Sequence, residues 1–260
     1  MQISKWFILF LLYSCMGWIY ESTFRTIKDR QWVNRGFLYG PVCPIYGVGA
    51  VTVSLLWHGL NGIGAAAPWW QLLLVSILGS AVLEYATSWG LEKLFHAVWW
   101  DYSNLPLNIH GRVSLFTSIG FGLAGLLIVY VLAPRVETLA DLLPSPAAEL
   151  LALVLMAVLA SDLTLTVSAL SNFRRVVKQL DDSFNSRMDL LVENVQEKSR
   201  EAKSMVLLEQ ENAARALRSM GGAYRGALRR VRSFRYPGKS RERIEYLLRG
   251  LREHVSKKTK

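Results

Sequence analysis

Charge is scarce where apolar residues are dense. In a chain that is 52% hydrophobic, residues 1–172 hold only eight Lys and Arg and nine Asp and Glu, a net of −1. A soluble domain needs a charged surface on all sides, so an ordinary soluble enzyme is excluded. Cysteine is nearly absent. Cys15 and Cys43 lie in apolar segments and form no CxxC or Cys/His metal spacing. A disulfide scaffold is therefore excluded, each thiol is expected reduced and buried, and neither metal nor cofactor is implied. The pattern GxxxxGK[ST] is also missing, so the chain has no phosphate loop of that type for ATP hydrolysis. A cleaved leader is not expected, because Lys5 is followed by no small-residue cleavage site before Glu21 and Arg25. Tryptophan stops early: all nine lie before residue 173. Residues 173–260 instead hold 22 Lys and Arg against 11 Asp and Glu, a net of +11. Two regions follow: a membrane domain over 1–172 and a basic tail over 173–260.

Five apolar stretches are long enough for a bilayer core of about 30 Å, which takes about 20 helical residues. They run from about 6 to 24, 37 to 60, 69 to 91, 115 to 133 and 150 to 170, the fourth closed by Pro134. Backbone groups in lipid must be bonded internally, so each is read as a helix and the fold class as all-α and polytopic. The loop after the first stretch carries Arg25, Lys28, Arg30 and Arg35; the loop after the third carries Lys93 and Arg112. The second loop has no charge and the fourth has Arg135 as its one cation. This bias predicts an outside N-terminus, cytoplasmic first and third loops, and a cytoplasmic tail at the inner membrane.

Three acids sit within apolar stretches: Glu21, Glu84 and Asp162. Carboxylates there are costly and are paired or functional. The predicted topology puts each in the cytoplasmic half of its helix, near Arg35 and Arg112 from the inner loops. A polar cluster facing the cytoplasm is expected, either bracing the helices by ion pairs or binding a substrate or ion. The third loop adds Asp101, Asn108 and His110 beside Trp99 and Trp100. His110 could shuttle protons near neutral pH, or be an ordinary surface histidine. In the second stretch, Gly40, Pro41, Pro44 and Gly47 interrupt the apolar run. Proline removes an amide donor and clashes with the preceding turn. Either the helix is broken there and its freed carbonyls line a cavity, or it starts late with Pro41 in its first turn.

GWIYE (17–21), NRGFLYGPVCPIYGVG (34–49), LEYATSWGLEKLF (83–95), WWDYS (99–103) and PLNIHGRVSLFTSIGFG (106–122) together resemble the putative ABC-transporter type IV permeases, small bacterial membrane proteins. The resemblance covers roughly residues 10–134. It implies a transport role that relies on a separate ATPase, and it supplies no catalytic or binding residues. The tail lies outside it.

In the tail, Val177, Leu180, Phe184, Met188, Leu191 and Val195 fall on one helical face. A long helix over about 176–220 is expected, with coiled-coil pairing within or between chains to cover that stripe. Pro237-Gly238 marks a turn before a short helix over about 240–256. Arg225, Arg229, Arg230, Arg232 and Arg235 cluster near Phe234 and Tyr236. Beside a membrane they favour anionic lipid headgroups by about 1 kcal/mol per cation. Nucleic acid is the rival partner for such charge, and the membrane tether disfavours it.

Three functions are open at this point. The first is a non-enzymatic permease with a cytoplasm-facing polar cavity. The second is a membrane enzyme acting on a lipid or lipid-linked headgroup, with Arg35 and Arg112 holding phosphate and Asp101, His110 or Glu84 acting as acid or base. The third is a scaffold that recruits partners through its tail. The permease is the leading reading, and enzymatic activity the lesser one.

Overall fold

A computed structural model describes residues 3–30, 32, 34, 36–62, 68–192, 230–231 and 233–234. The chain is mostly helical: α1 (Ile3–Asp29), α2 (Pro44–Gly62), α3 (Trp69–Phe95), α4 (Leu115–Leu127), α5 (Ala133–Asp141) and α6 (Ser145–Val192). All-α holds in the main, with small departures. Four two-residue strands occur among the described residues: β1 (Ala97–Val98), β2 (Asn108–Ile109), β3 (Val113–Ser114) and β4 (Ser233–Phe234). They pair antiparallel as β1 with β4 and β2 with β3.

Four helical stretches among the described residues are long and apolar enough to cross a membrane: Ile3–Lys28, Trp69–Phe95, Leu115–Asp141 and Ser145–Asn172. Their side chains are distributed inside out compared with a soluble bundle. On α6, Leu150, Leu153, Val158 and Leu165 are exposed while Ala148 and Ala152 are buried. Small residues face the protein so that backbones approach closely, and bulky apolar ones face outward, as lipid requires. This is a multi-pass membrane protein.

Two sequence expectations are corrected. The stretch from Phe37 is not helical until Pro44, and from there α2 is unbroken. Pro44, not Pro41, occupies the first helical turn, where a missing amide costs nothing. No break lies within α2. The fourth stretch does not close at Pro134. A π-helical turn, Ile128–Leu132, precedes it, and the Ala133 amide reaches back to the Ile128 carbonyl. The wider turn absorbs a proline that a regular helix would reject, and helix continues as α5 to Asp141.

The chain forms two compact units. The first comprises residues 1–91 and 99–165. Its core includes Leu9, Tyr13, Ala50 and Ala140, and a neighbouring cluster of Val53, Leu72 and Val129. Within it, α1 and α2 are the most extensively paired helices. The second unit comprises residues 92–98 and 166–260. There β1 aligns with β4, Ala97 opposite Phe234. The Arg174 guanidinium donates to the Leu94 carbonyl at 2.9 Å. Helix α6 passes unbroken through residues 172 and 173. The rest of the expected tail helix, the turn at 237–238 and the helix over 240–256 lie outside the described residues.

Candidate functional site

Helix α1 places Gly17 and Glu21 one turn apart on the same face. A methyl group at Gly17 would overlap the Tyr46 ring. Glycine there lets the ring lie flat against α1, and the Tyr46 hydroxyl then donates to Glu21 Oε1 at 2.6 Å. Two further contacts fix the start of α2. The Cys43 amide donates to the Ser14 carbonyl at 3.0 Å, and Gly47 leaves room for Ser14 and Phe10.

The turn leading into α2 is clasped at both ends. Asn34 Oδ1 accepts from Trp18 Nε1 at 2.9 Å and from the Gly36 amide at 3.2 Å. Asp162 of α6 accepts the Tyr39 amide on Oδ1 and the Gly40 amide on Oδ2, each at 2.8 Å. A Cβ at Gly40 would lie 3.0 Å from Asp162 Oδ2. Asp162 thus caps a backbone turn with both of its oxygens.

Helix α3 carries Glu84 and Tyr85, and each grips the loop that follows. The Tyr102 hydroxyl donates to Glu84 Oε1 at 3.2 Å. Glu84 is 4% exposed, and its Oε2 is buried with no hydrogen-bond partner among the described residues. The Glu21 carboxylate lies within electrostatic reach of Glu84, and Tyr46 within reach of Tyr102. Glu21 on α1 and Glu84 on α3 are thus each held by one tyrosine and lie within electrostatic reach of each other. Neither makes an ion pair among the described residues.

Tyr85 holds the other side of the loop. Its hydroxyl meets His110 Nδ1 at 3.3 Å and accepts from Arg112 Nη1 at 3.2 Å. The Arg112 guanidinium lies 5.2 Å from the centre of the Tyr85 ring, a cation–π contact. The remaining polar residues of the loop hold its own backbone. Asp101 Oδ1 accepts the Ser103 amide at 3.0 Å and the Ser103 hydroxyl. Asn108 donates to the Leu105 carbonyl at 2.7 Å and accepts the Gly111 amide at 3.0 Å. Gly111 has φ +68°, and a side chain there would press on Asp101 and Ser103. Trp100 Nε1 closes the loop on the Arg112 carbonyl at 2.9 Å.

Of the expected cluster, Glu21 and Glu84 lie within electrostatic reach of each other. Asp101, Asn108, His110 and Arg112 form one folded loop tied to α3. Asp162 serves the 39–40 turn instead. Arg35 lies outside the described residues, as do Arg225, Arg229, Arg232 and Arg235. Arg230 is described and is 5% exposed. The reading from sequence missed Tyr46 and Tyr85. Gly17, four residues before Glu21, was the available signal for Tyr46.

It also missed a second polar group, because Pro134 was taken as a helix end. Continued helix brings Glu137 to His58 at 2.9 Å and Asp141 to Lys5 at 3.1 Å. The Tyr13 hydroxyl is buried near Glu137 and Ser54.

Residues 8–167 match the family model described as putative ABC-transporter type IV. The chain belongs to this family. The type IV match takes in α1 to α5 and the apolar part of α6, so it extends past residue 134. It contains every residue of the Glu21–Glu84 site and leaves the basic tail outside, as the resemblance had it. No curated protein and no solved structure matches the chain.

Proposed function

We propose that the protein is the membrane-spanning component of a transporter, with a polar cavity opening toward the cytoplasm at Glu21, Tyr46, Glu84 and Tyr102. One observation carries this reading: Glu84, a carboxylate on an apolar helix, is buried with one oxygen unpartnered among the described residues. A purely structural acid in lipid satisfies both oxygens, as Asp162 does, because an unmet polar atom there costs several kcal/mol. A binding site keeps an acceptor for its ligand. In this reading α2, about 29 Å long at 1.5 Å per residue, is the fifth crossing. The N-terminus is outside, and the Lys- and Arg-rich first and third loops and the tail are cytoplasmic. Energy comes from a separate ATPase, since the chain has no phosphate loop of the GxxxxGK[ST] type. Arg225, Arg229, Arg232 and Arg235 rest on anionic headgroups of the inner leaflet.

The enzyme reading draws less support. Asp101, its candidate base, is engaged by Ser103, and Arg112 is stacked on Tyr85.

The test is flux across liposomes containing the purified protein, with and without candidate ATPases, over a broad panel of solutes. Transport that is lost in Glu84→Gln with the fold retained is the expected result. Absence of both flux and binding across the panel sinks the proposal.

A further inference from the structure

The Glu21–Glu84 pair also constrains the charge of what it binds. This step rests on the cavity proposed above and goes beyond it. Among the described residues, the groups facing Glu84 are the Tyr102 hydroxyl from the loop, Glu21 from α1 and, through Glu21, Tyr46 from α2. Cys43 lies near Glu21 and Tyr46 and is a neutral thiol at ordinary pH. None of these supplies a positive charge. Each tyrosine offers one hydroxyl proton, which stabilises one carboxylate oxygen by a charge-assisted hydrogen bond. Two such bonds do not neutralise two carboxylates in a medium of low dielectric.

The unpartnered Glu84 Oε2 is the independent sign of what completes the pair. A buried carboxylate oxygen needs a donor or a cation. The donors available are carboxylate and phenol oxygens, hard ligands that suit a proton, an alkali cation or a primary ammonium. Among the described residues no third His, Cys, Asp or Glu joins these two in a metal-binding group. We infer that Glu21 and Glu84 bind one exchangeable monovalent positive charge, a proton or a small cation, between α1 and α3.

The experiment uses the full chain in nanodiscs of neutral phosphatidylcholine. Radiolabelled sodium, rubidium and methylammonium are titrated in turn, and proton release is followed with a pH dye. Infrared difference spectra of the same samples report a protonated carboxylic acid. Saturable binding of one of these cations with proton release, weakened about tenfold or more in Glu84→Gln, supports a small cation as the occupant. A protonated-acid band that disappears in Glu84→Gln, with no cation bound, supports the proton itself. Should Glu84→Gln not fold, Glu21→Gln serves the same role, and the infrared band of the unaltered protein needs no variant. Finding neither cation binding nor a protonated acid overturns the inference.

The cavity is tested separately. In a protein with Cys15→Ser and Cys43→Ser, Glu21→Cys is exposed to a membrane-impermeant thiol reagent from the cytoplasmic side. Labelling with neither cation binding nor a protonated acid leaves the cavity standing and removes the inference. Cation binding or a protonated acid without labelling does the reverse.

Discussion

Asp162 and Glu84 look alike in the sequence and do different things in the fold. Both are lone acids on apolar helices. Asp162 gives each oxygen to a backbone amide, Tyr39 and Gly40, and so fixes the turn that delivers α2. Glu84 gives one oxygen to the Tyr102 hydroxyl and leaves the other buried and unpartnered among the described residues. The contrast shows that the cost of an acid in an apolar helix does not by itself mark function. What separates the two is how the oxygens are satisfied: fully by backbone in one case, half by a side chain in the other.

Substitution should pull the two apart, and here the largest effect is expected. Asp162→Asn replaces an acceptor oxygen by an amide donor that faces a backbone N–H. Two charge-assisted bonds are disturbed, each worth about 1.5–3 kcal/mol. The thermal midpoint in detergent should fall steeply, or the protein should fail to accumulate. Glu84→Gln removes a buried charge with an unmet oxygen, so stability should hold or rise while transport is lost. Melting curves of the two variants beside the flux assay check this. Equal loss of stability in both would mean that Glu84 is as structural as Asp162.

A smaller effect is expected at the glycines that bring the pair within reach. Gly17→Ala drives a methyl into the Tyr46 ring. Overpacking of this kind costs about 1–3 kcal/mol, and it lifts the Tyr46 hydroxyl away from Glu21. Gly59→Ala is the control. It lies in α2 with no neighbouring atom within 4 Å of an added Cβ. In a helix it should be neutral or stabilising by up to about 1 kcal/mol. If Gly17→Ala melts like the unaltered protein and keeps its activity, the Tyr46–Glu21 contact is not what positions Glu21.

Helix existence was readable from the apolar runs, since lipid leaves the backbone few alternatives. The acids were readable too, because charge is rare in such runs. The roles of those acids were not, because a role depends on which amide or hydroxyl meets each oxygen. Asp162 and Gly40 are 122 residues apart in the chain, and nothing periodic links them. Tyr46 and Tyr85 were passed over, although tyrosine in an apolar helix presents a donor that must be met. Pro134 misled for a local reason. Proline ends regular helix, and its toleration here depends on a π-helical turn that leaves no mark in composition. The His58–Glu137 contact was lost with it.

The smallest expected effect is on pH dependence, and it falls outside both acids. His96 follows α3 with φ +51°, and desolvation, then the Arg174 charge, hold its pKa below the ordinary 6.5, against a smaller opposing pull from Glu92. The native state therefore resists protonation more than the unfolded chain does. Unfolded protein binds more protons as pH falls through 6.5, so the stability His96 allows is fully present above that value and is lost below it. The ring is only partly buried, so the change should be slight. His96→Asn keeps a residue that tolerates positive φ and removes the titration. The fall in thermal midpoint on acidification should shrink in that variant; a fall of unaltered size would mean that another group titrates.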